Sequence, residues 1–382
     1  MNIVICRLDN LSIENGEYNI HVEKLLSQNV ENLPDIYGSI LFPCNEIETS
    51  SNFKAGYTCH INIYRVLECM KFKEDFGNIA FRNIKDVPVI CFLLPSRVEE
   101  CKAPPNLTSL KMFDIFYQKI NYNFQTISIA FSMACWMVKD CCVTSTDLYQ
   151  FNYFNAYRVR YKIENIYTLS NGAIYTEKFN AEELHQAINL LPKIYGYMLQ
   201  QKEPLQNISK KFDNLHSTEL TGGRALLNIE GLINPENNSF CRAIIFLQQA
   251  RKSGYLVAKI EKYCSVLECL FAIRDKHKTN IKNITAAYIG DANDEIIIRN
   301  DMSDAFGIRS DFSHGDYIKY LNHHSEKELK ELSQRIDGYV RKVFLKVFEE
   351  PDKNYTLQNR NKVKDYFNNI AKRKYPEDYV RK

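Results

Sequence analysis

The chain of 382 residues carries almost no excess of charge, with 49 Lys and Arg against 46 Asp and Glu. No bulk field therefore announces a nucleic-acid coat or an acidic tail, and local charge has to carry any argument about a polyanionic partner. Long apolar runs are missing too. The longest, ISIAFSMACWMV from Ile127 to Val138, falls well short of the roughly 20 residues a membrane span needs. The start, MNIVICRLDN, has no leader pattern. The sequence thus predicts a soluble, cytoplasmic protein with no membrane partner. No C-x-x-C occurs among the twelve cysteines, which sit mostly beside apolar neighbours. They read as reduced core thiols rather than a disulfide framework or metal ligands. No repeat period, low-complexity tract, serine triad or dinucleotide fingerprint is present, and Thr221-Gly222-Gly223-Arg224 lacks the lysine and hydroxyl of a phosphate loop. Asp291-Ala292-Asn293-Asp294-Glu295 lacks the length and glycine of a calcium loop and reads as a helix cap. His323 and His324 are adjacent, and since neighbours point apart on a helix they read as a solvated turn rather than a metal site. The expectation is no metal and no cofactor.

What is there divides the chain in two. Up to about residue 175 short strand patterns alternate with turn residues: Ile3 to Cys6, Tyr18 to Val22, Ser39 to Phe42, Thr58 to Val66 and Val87 to Leu94. The last is continuously apolar and belongs in the middle of a sheet. Tyr157 to Leu169 and Ala173 to Phe179 read as a further strand pair joined by a hairpin turn at Ser170-Asn171-Gly172. From Asn180 the period becomes helical, with Leu184, Ile188, Leu191 and Tyr195 spaced along one face behind an acidic first turn. A polar, turn-rich stretch from Pro204 to Asn238 follows. Helices are then predicted over Cys241 to Lys252, Leu256 to Asp275, Ile281 to Ile289, Asp294 to His314, Glu326 to Phe348 and Leu357 to Ala371. The fold class expected is α+β: a β-rich N-terminal domain over 1–180, a helix and connecting region over 181–234, and an all-α bundle with a basic tail over 235–382.

Chemistry concentrates in Arg309-Ser310-Asp311-Phe312-Ser313-His314-Gly315. Arginine is a permanent cation suited to a phosphate, and histidine titrates near neutral pH, so the pair supplies what RNA cleavage without a metal requires. If Gly315 stops the helix, Arg309 and His314 diverge by about 140 degrees around its axis. Two such helices across a two-fold axis bring both pairs into one cleft, which makes a homodimer the mechanistic expectation. Ser310 and Asp311 are placed to orient His314 or the attacking hydroxyl, and Glu268 to pair with Arg309; the plain alternatives are structural hydrogen bonds at a helix end and an ordinary surface glutamate. Residues 241 to 290 hold nine Lys and Arg against three acids, and 351 to 382 hold nine against four. Phosphate contacts of that kind give salt-dependent affinity with little sequence preference. Arg251, Lys252 and Lys259 are candidate RNA contacts, as are Tyr317 and Lys319 just past the motif; a solvated loop or helix face is the alternative for each.

Arg251-Lys252-Ser253, Lys259-Ile260, Cys264, Glu268, Leu270-Phe271 and Ile308-Arg309-Ser310 leading to His314-Gly315 together resemble the ApeA-like branch of the HEPN domains over about residues 235 to 350. The resemblance implies a helical bundle that dimerises around R-x4-H and acts as a metal-independent endoribonuclease, a hydrolase of RNA with tRNA among its targets. It implies attack by the 2′-hydroxyl on the adjacent phosphate, with Arg309 and His314 catalytic and Ser310, Asp311 and Glu268 supporting. It also implies anti-phage defence by abortive infection; the domain order alone, with no motif matched in residues 1–234, makes the N-terminal domain the candidate to sense a phage-derived trigger or restrain the nuclease. Inactive members of the family exist, so a catalytically silent module that binds RNA or protein is the alternative.

Overall fold

The computed structural model describes residues 2–14, 19–22, 37–41, 70–85, 87–94, 109–152, 158–163, 165–199, 239–273, 279–349 and 360–379. The chain separates into two compact units, Met1–Leu169 with Ile174–Tyr195, and Ser170–Ala173 with Gly196–Lys382. The predicted strand at Thr58 to Val66 and the connecting stretch 204–238 lie outside the described residues.

In the first unit a six-stranded sheet runs in the order β3-β4-β5-β1-β6-β7, from β1 (Asn2–Asp9), β3 (Asn19–Val22), β4 (Tyr37–Leu41), β5 (Val89–Leu94), β6 (Thr144–Asn152) and β7 (Arg158–Lys162). Every pairing in it is antiparallel. The apolar β5 sits between β4 and β1, the central place its composition predicts. Val4, Ile5 and Cys6 are all fully buried, so β1 is covered on both faces. Phe72 and Phe76 pack edge-on to Tyr149 and Phe151 of β6. These phenylalanines belong to α1 (Met70–Lys85), which breaks at Gly77 with φ 81 and ψ 167.

Two expectations fail here. The unit is mixed rather than β-rich, because it also holds α1 and the 30-residue α2 (Ser109–Val138). The apolar run from Ile127 forms the second half of α2, where Ala130, Phe131, Met133, Ala134, Cys135, Trp136 and Met137 are all buried. Burial on every side erases the helical period that pattern reading depends on. Among the described residues the expected hairpin is absent as well. Gly172 does turn with φ 83 and Asn171 Oδ1 accepts the Ala173 N–H at 2.9 Å, but the flanking segments do not pair. Instead β8 (Glu177–Phe179) lies parallel to β2 (Leu11–Ile13). The helix after it, α3 (Ala181–Leu199), opens with a reciprocal capping box, Glu183 N–H to Asn180 Oδ1 and Asn180 N–H to Glu183 Oε2, both at 2.9 Å.

Among its described residues the second unit consists of helices joined by turns, with no strand: α4 (Ser239–Lys252), α5 (Leu256–Leu270), α6 (Thr279–Ile289), α7 (Glu295–His314), α8 (Glu326–Glu349) and α9 (Arg360–Lys374). Short 3₁₀ turns cover Lys319–Asn322 and Pro376–Tyr379. Starts and stops agree with the pattern reading to within a few residues, except that α5 ends at Leu270. The long helix α8 buries Leu329, Leu332, Ile336, Val340, Val343 and Val347, spaced three or four apart on one face. Ser325 and Glu328 close a capping box at its start. α7 packs against α5, α6 and α8. Its Asp301 is buried and accepts Arg335 Nε at 2.8 Å and Tyr339 OH at 2.7 Å from α8. That buried anchor sets the position of the helix that carries the motif.

Candidate active site

The C-terminus of α7 closes as a Schellman motif. Gly315 is left-handed at φ 72, its N–H reaches Phe312 O at 3.2 Å, and Asp316 N–H reaches Asp311 O at 2.8 Å. The 6→1 and 5→2 bonds satisfy carbonyls that a helix end otherwise leaves open. His314 is thereby fixed as the last helical residue. Its side chain is exposed and makes no hydrogen bond or ion pair among the described residues.

Arg309 points the other way, towards α5. Its Nη1 and Nη2 donate to Glu268 Oε1 and Oε2 at 2.7 and 2.8 Å, a bidentate geometry that planar guanidinium and carboxylate groups match. The predicted pairing of Glu268 with Arg309 is therefore present. The side chains are 27% and 17% exposed, and the guanidinium also lies 5.6 Å from the Phe306 ring centroid. Its Nε is buried without a partner. One turn before Glu268, burial pushes the Cys264 thiol well above its ordinary range, while the Arg309 charge pulls against that. Cys264 is thus a neutral core thiol.

Asp311 is buried, accepts the Lys319 backbone N–H at 2.9 Å and meets Lys319 Nζ at 3.3 Å. Its carboxylate ties down the segment after Gly315. Ser310 is half-buried, and Tyr317 stands 67% exposed. Lys252 is exposed, and partial burial of its ammonium lowers its pKa.

Arg251 and Lys259, expected as phosphate contacts, are both fully buried. Lys259 Nζ donates to Ala250 O at 2.8 Å, the carboxyl end of α4, and lies 5.9 Å from the Tyr263 ring. Tyr263 OH in turn donates to the buried Asp337 at 2.6 Å, and Arg341 reaches the same carboxylate at 2.6 Å. A phosphate at the surface meets neither cation, so both are structural in this fold.

Two side chains beside the motif escaped pattern reading. Phe312, inside the motif, is 38% exposed and Tyr255 is 60% exposed, with ring centroids 6.1 Å apart. An aromatic residue in a polar run next to a helix boundary is the only signal the sequence offered. Elsewhere, Asp291 Oδ1 accepts the N–H groups of Asn293 and Asp294, so that acidic run is a turn ahead of α7. His324 stacks on Tyr320 at 4.0 Å. No group of three His, Cys, Asp or Glu suited to a metal ion occurs among the described residues.

Comparison with known proteins returns nothing: no family model, no curated protein and no solved structure matches the chain.

Proposed function

We propose that the chain is a metal-independent endoribonuclease of the HEPN kind that works as a symmetric homodimer. The observation that carries this reading is the pairing of an aimed cation with a free imidazole at one helix end. Glu268 holds the Arg309 fork, and the Schellman closure holds His314 out to solvent. Glu268 uses two of the five guanidinium N–H donors and Nε–H is buried, so the two remaining Nη N–H groups are the ones that can meet phosphoryl oxygens.

The outward face of α7 supports the dimer. Ile296, Asn300, Ser303, Gly307, Ser310 and His314 follow one another at intervals of four and three, all exposed or half-buried. A Cβ at Gly307 would meet nothing within 4 Å. Small residues along such a stripe let a second backbone come close, and packing two copies there carries both His314 side chains to one seam. One imidazole takes the proton of the 2′-hydroxyl as its oxygen attacks phosphorus. The bond from phosphorus to the 5′-oxygen breaks, and the protonated partner imidazole delivers a proton to that leaving oxygen. The products are a 2′,3′-cyclic phosphate and a 5′-hydroxyl. Arg309 balances the charge that grows on the non-bridging oxygens. Within this reading the protein serves anti-phage defence, and the N-terminal unit senses a phage-derived trigger or restrains the nuclease.

One observation favours the alternative of a silent binding module: within a single chain Arg309 is already engaged and faces away from His314. Incubation with total RNA and tRNA in chelator separates the two. New cyclic-phosphate ends that vanish in His314→Ala and Arg309→Ala support the enzyme. Full activity in both variants removes the site assignment, and binding without new ends supports the module.

A further inference from the structure

We propose that Tyr255 and Phe312 form a stacking subsite for an unpaired base next to the scissile phosphate; this rests on the ribonuclease reading above. Large aromatic rings normally bury most of their surface. Here Tyr255 is 60% and Phe312 38% exposed, and the rings stand 6.1 Å apart with 56° between their planes. They form an open V rather than a closed stack, leaving ring face available.

Their backbones are fixed although their rings are not. Tyr255 O accepts from Ser253 Oγ at 3.1 Å and from Lys259 N–H at 3.0 Å. Phe312 O is held by the Gly315 N–H of the Schellman closure. The rings are therefore presented without a large ordering cost on binding. Phe312 lies three residues after Arg309, about 60 degrees away around α7, and two before His314, about 160 degrees away, so a base on it sits on the Arg309 side of the motif, beside the phosphate that the guanidinium meets in the proposed reaction.

The surroundings suit the phosphate that accompanies a stacked base. Tyr255 is the N-cap of α5, with no side-chain cap hydrogen bond and no acid in the first turn. The open N–H groups and positive end of the helix dipole favour an anion there. Lys252 is exposed three residues earlier, and Lys319 is exposed past the helix end. Stacking on aromatic faces beside cations is how proteins hold single-stranded nucleic acid without reading its sequence. A base locked in a duplex cannot reach such a platform, so the subsite selects unpaired RNA.

The test uses the full-length His314→Ala protein, which binds without cutting, and a short labelled single-stranded RNA of mixed sequence. Adding Tyr255→Ala or Phe312→Ala should weaken binding about 5- to 150-fold, the range that ~1–3 kcal/mol per stacked base implies, whereas Tyr255→Phe and Phe312→Tyr should stay within about twofold. An abasic nucleotide moved along the strand should cost the same factor at one position, and nothing there once Phe312 is Ala. RNA binding unchanged in both alanine variants overturns the subsite and leaves the ribonuclease reading standing. Failure of the parent protein to bind or cut any RNA overturns both. Alanine variants that sediment as monomers with unaltered affinity per site assign the rings to contact between copies instead, and overturn the subsite.

Discussion

Removing the Glu268 carboxylate should cost stability and activity together, and the structure sets the size of both. The pair is bidentate at 2.7 and 2.8 Å with side chains 27% and 17% exposed, which places it between two limits. Exposed ion pairs contribute about 0.2–1 kcal/mol, and breaking a buried pair costs about 3–5 kcal/mol because it strands a charge. Glu268→Ala should therefore destabilise by about 2 kcal/mol, since Arg309 then keeps its charge beside the buried Cys264 with Nε already unpartnered. Arg309→Ala should cost a similar amount, for the mirror reason. The double variant should cost little more than either single one, giving a coupling of about 1.5 kcal/mol in a double-mutant cycle. Urea unfolding at one fixed protein concentration measures this, the concentration being held because association adds to apparent stability. Cleavage should fall about 100-fold in Glu268→Ala, the order expected when a positioning contact is lost. Glu268→Gln keeps the shape and one acceptor and should lose about tenfold, near the value of one charge-assisted bond. A coupling under about 0.3 kcal/mol, the scatter of independent sites, or an unchanged rate in a folded Glu268→Ala protein, refutes the assignment of Glu268 as the group that aims Arg309.

Three further outcomes follow from the same geometry. His314→Ala should lower the cleavage rate about 10²- to 10⁴-fold while moving the urea midpoint little, since the side chain is exposed and without partners; a large loss of stability would make it structural instead. Gly315→Ala places a Cβ at φ 72 and should cost about 1–2 kcal/mol in unfolding experiments, with Gly315→Asn recovering most of that; equal stability of all three would show that the closure does not depend on the left-handed residue. Burial, then the hydrogen bond to Glu295, raises the Tyr375 phenol to about 12. A folded pKa above the unfolded value of 10.0 favours the protonated state, so this contribution is complete below pH 10 and is lost as pH rises towards 12. Ultraviolet titration should find several late phenolates, one of which Tyr375→Phe removes, together with about 1.5 kcal/mol of stability; an unchanged late phase in Tyr375→Phe would refute it.

The helical half was legible because its elements are half-exposed and keep their period. α8 buries one stripe and leaves the other face charged, and Ser325 with Glu328 announces its start. The motif helix was legible to one residue at each end, since Gly315 is the residue that a left-handed closure requires. In the first unit β1, β3, β4, β5 and β7 overlap strand patterns the sequence shows, and α3 follows its helical period, whereas α1 and β6 were not expected. The second half of α2, from Phe124, was missed because a helical segment buried on nearly every side shows no apolar face, and the pairing of β8 with β2 joins residues 166 apart in the chain, from Leu11 to Glu177. Nothing local encodes such a contact. Glu268 was found through the family-like positions around it rather than through any period, since nothing local in the sequence distinguishes it from a surface glutamate; its bidentate contact joins residues 41 apart in the chain.

The misplacement of Arg251 and Lys259 has a physical cause that the sequence did contain. On α4 the buried positions run Phe240, Ala243, Ile244, Leu247, Ala250 and Arg251, at intervals of three, one, three, three and one. That is one helical stripe, and Arg251 lies on it. Lys259 likewise falls between Leu256 and Tyr263, three residues after one and four before the other, on the buried face of α5. Position on the stripe outweighed residue type because compensation was available. Lys259 meets the carbonyl end of α4, where the helix dipole is negative, and Asp337, shared by Tyr263 and Arg341, supplies a buried carboxylate nearby. Counting nine cations against three acids between residues 241 and 290 therefore overstated the charge at the surface. Next to the motif the attraction for a polyanion then comes from fewer groups: exposed Lys252 and Lys319, the uncapped start of α5 and the guanidinium that Glu268 leaves partly free, while α9 keeps Lys362, Lys364, Lys372 and Arg373 exposed. Phosphate contacts confined to the motif give a shallow salt dependence of RNA binding and leave a larger share of the affinity to stacking on Tyr255 and Phe312, whereas contacts that include α9 give a steep one.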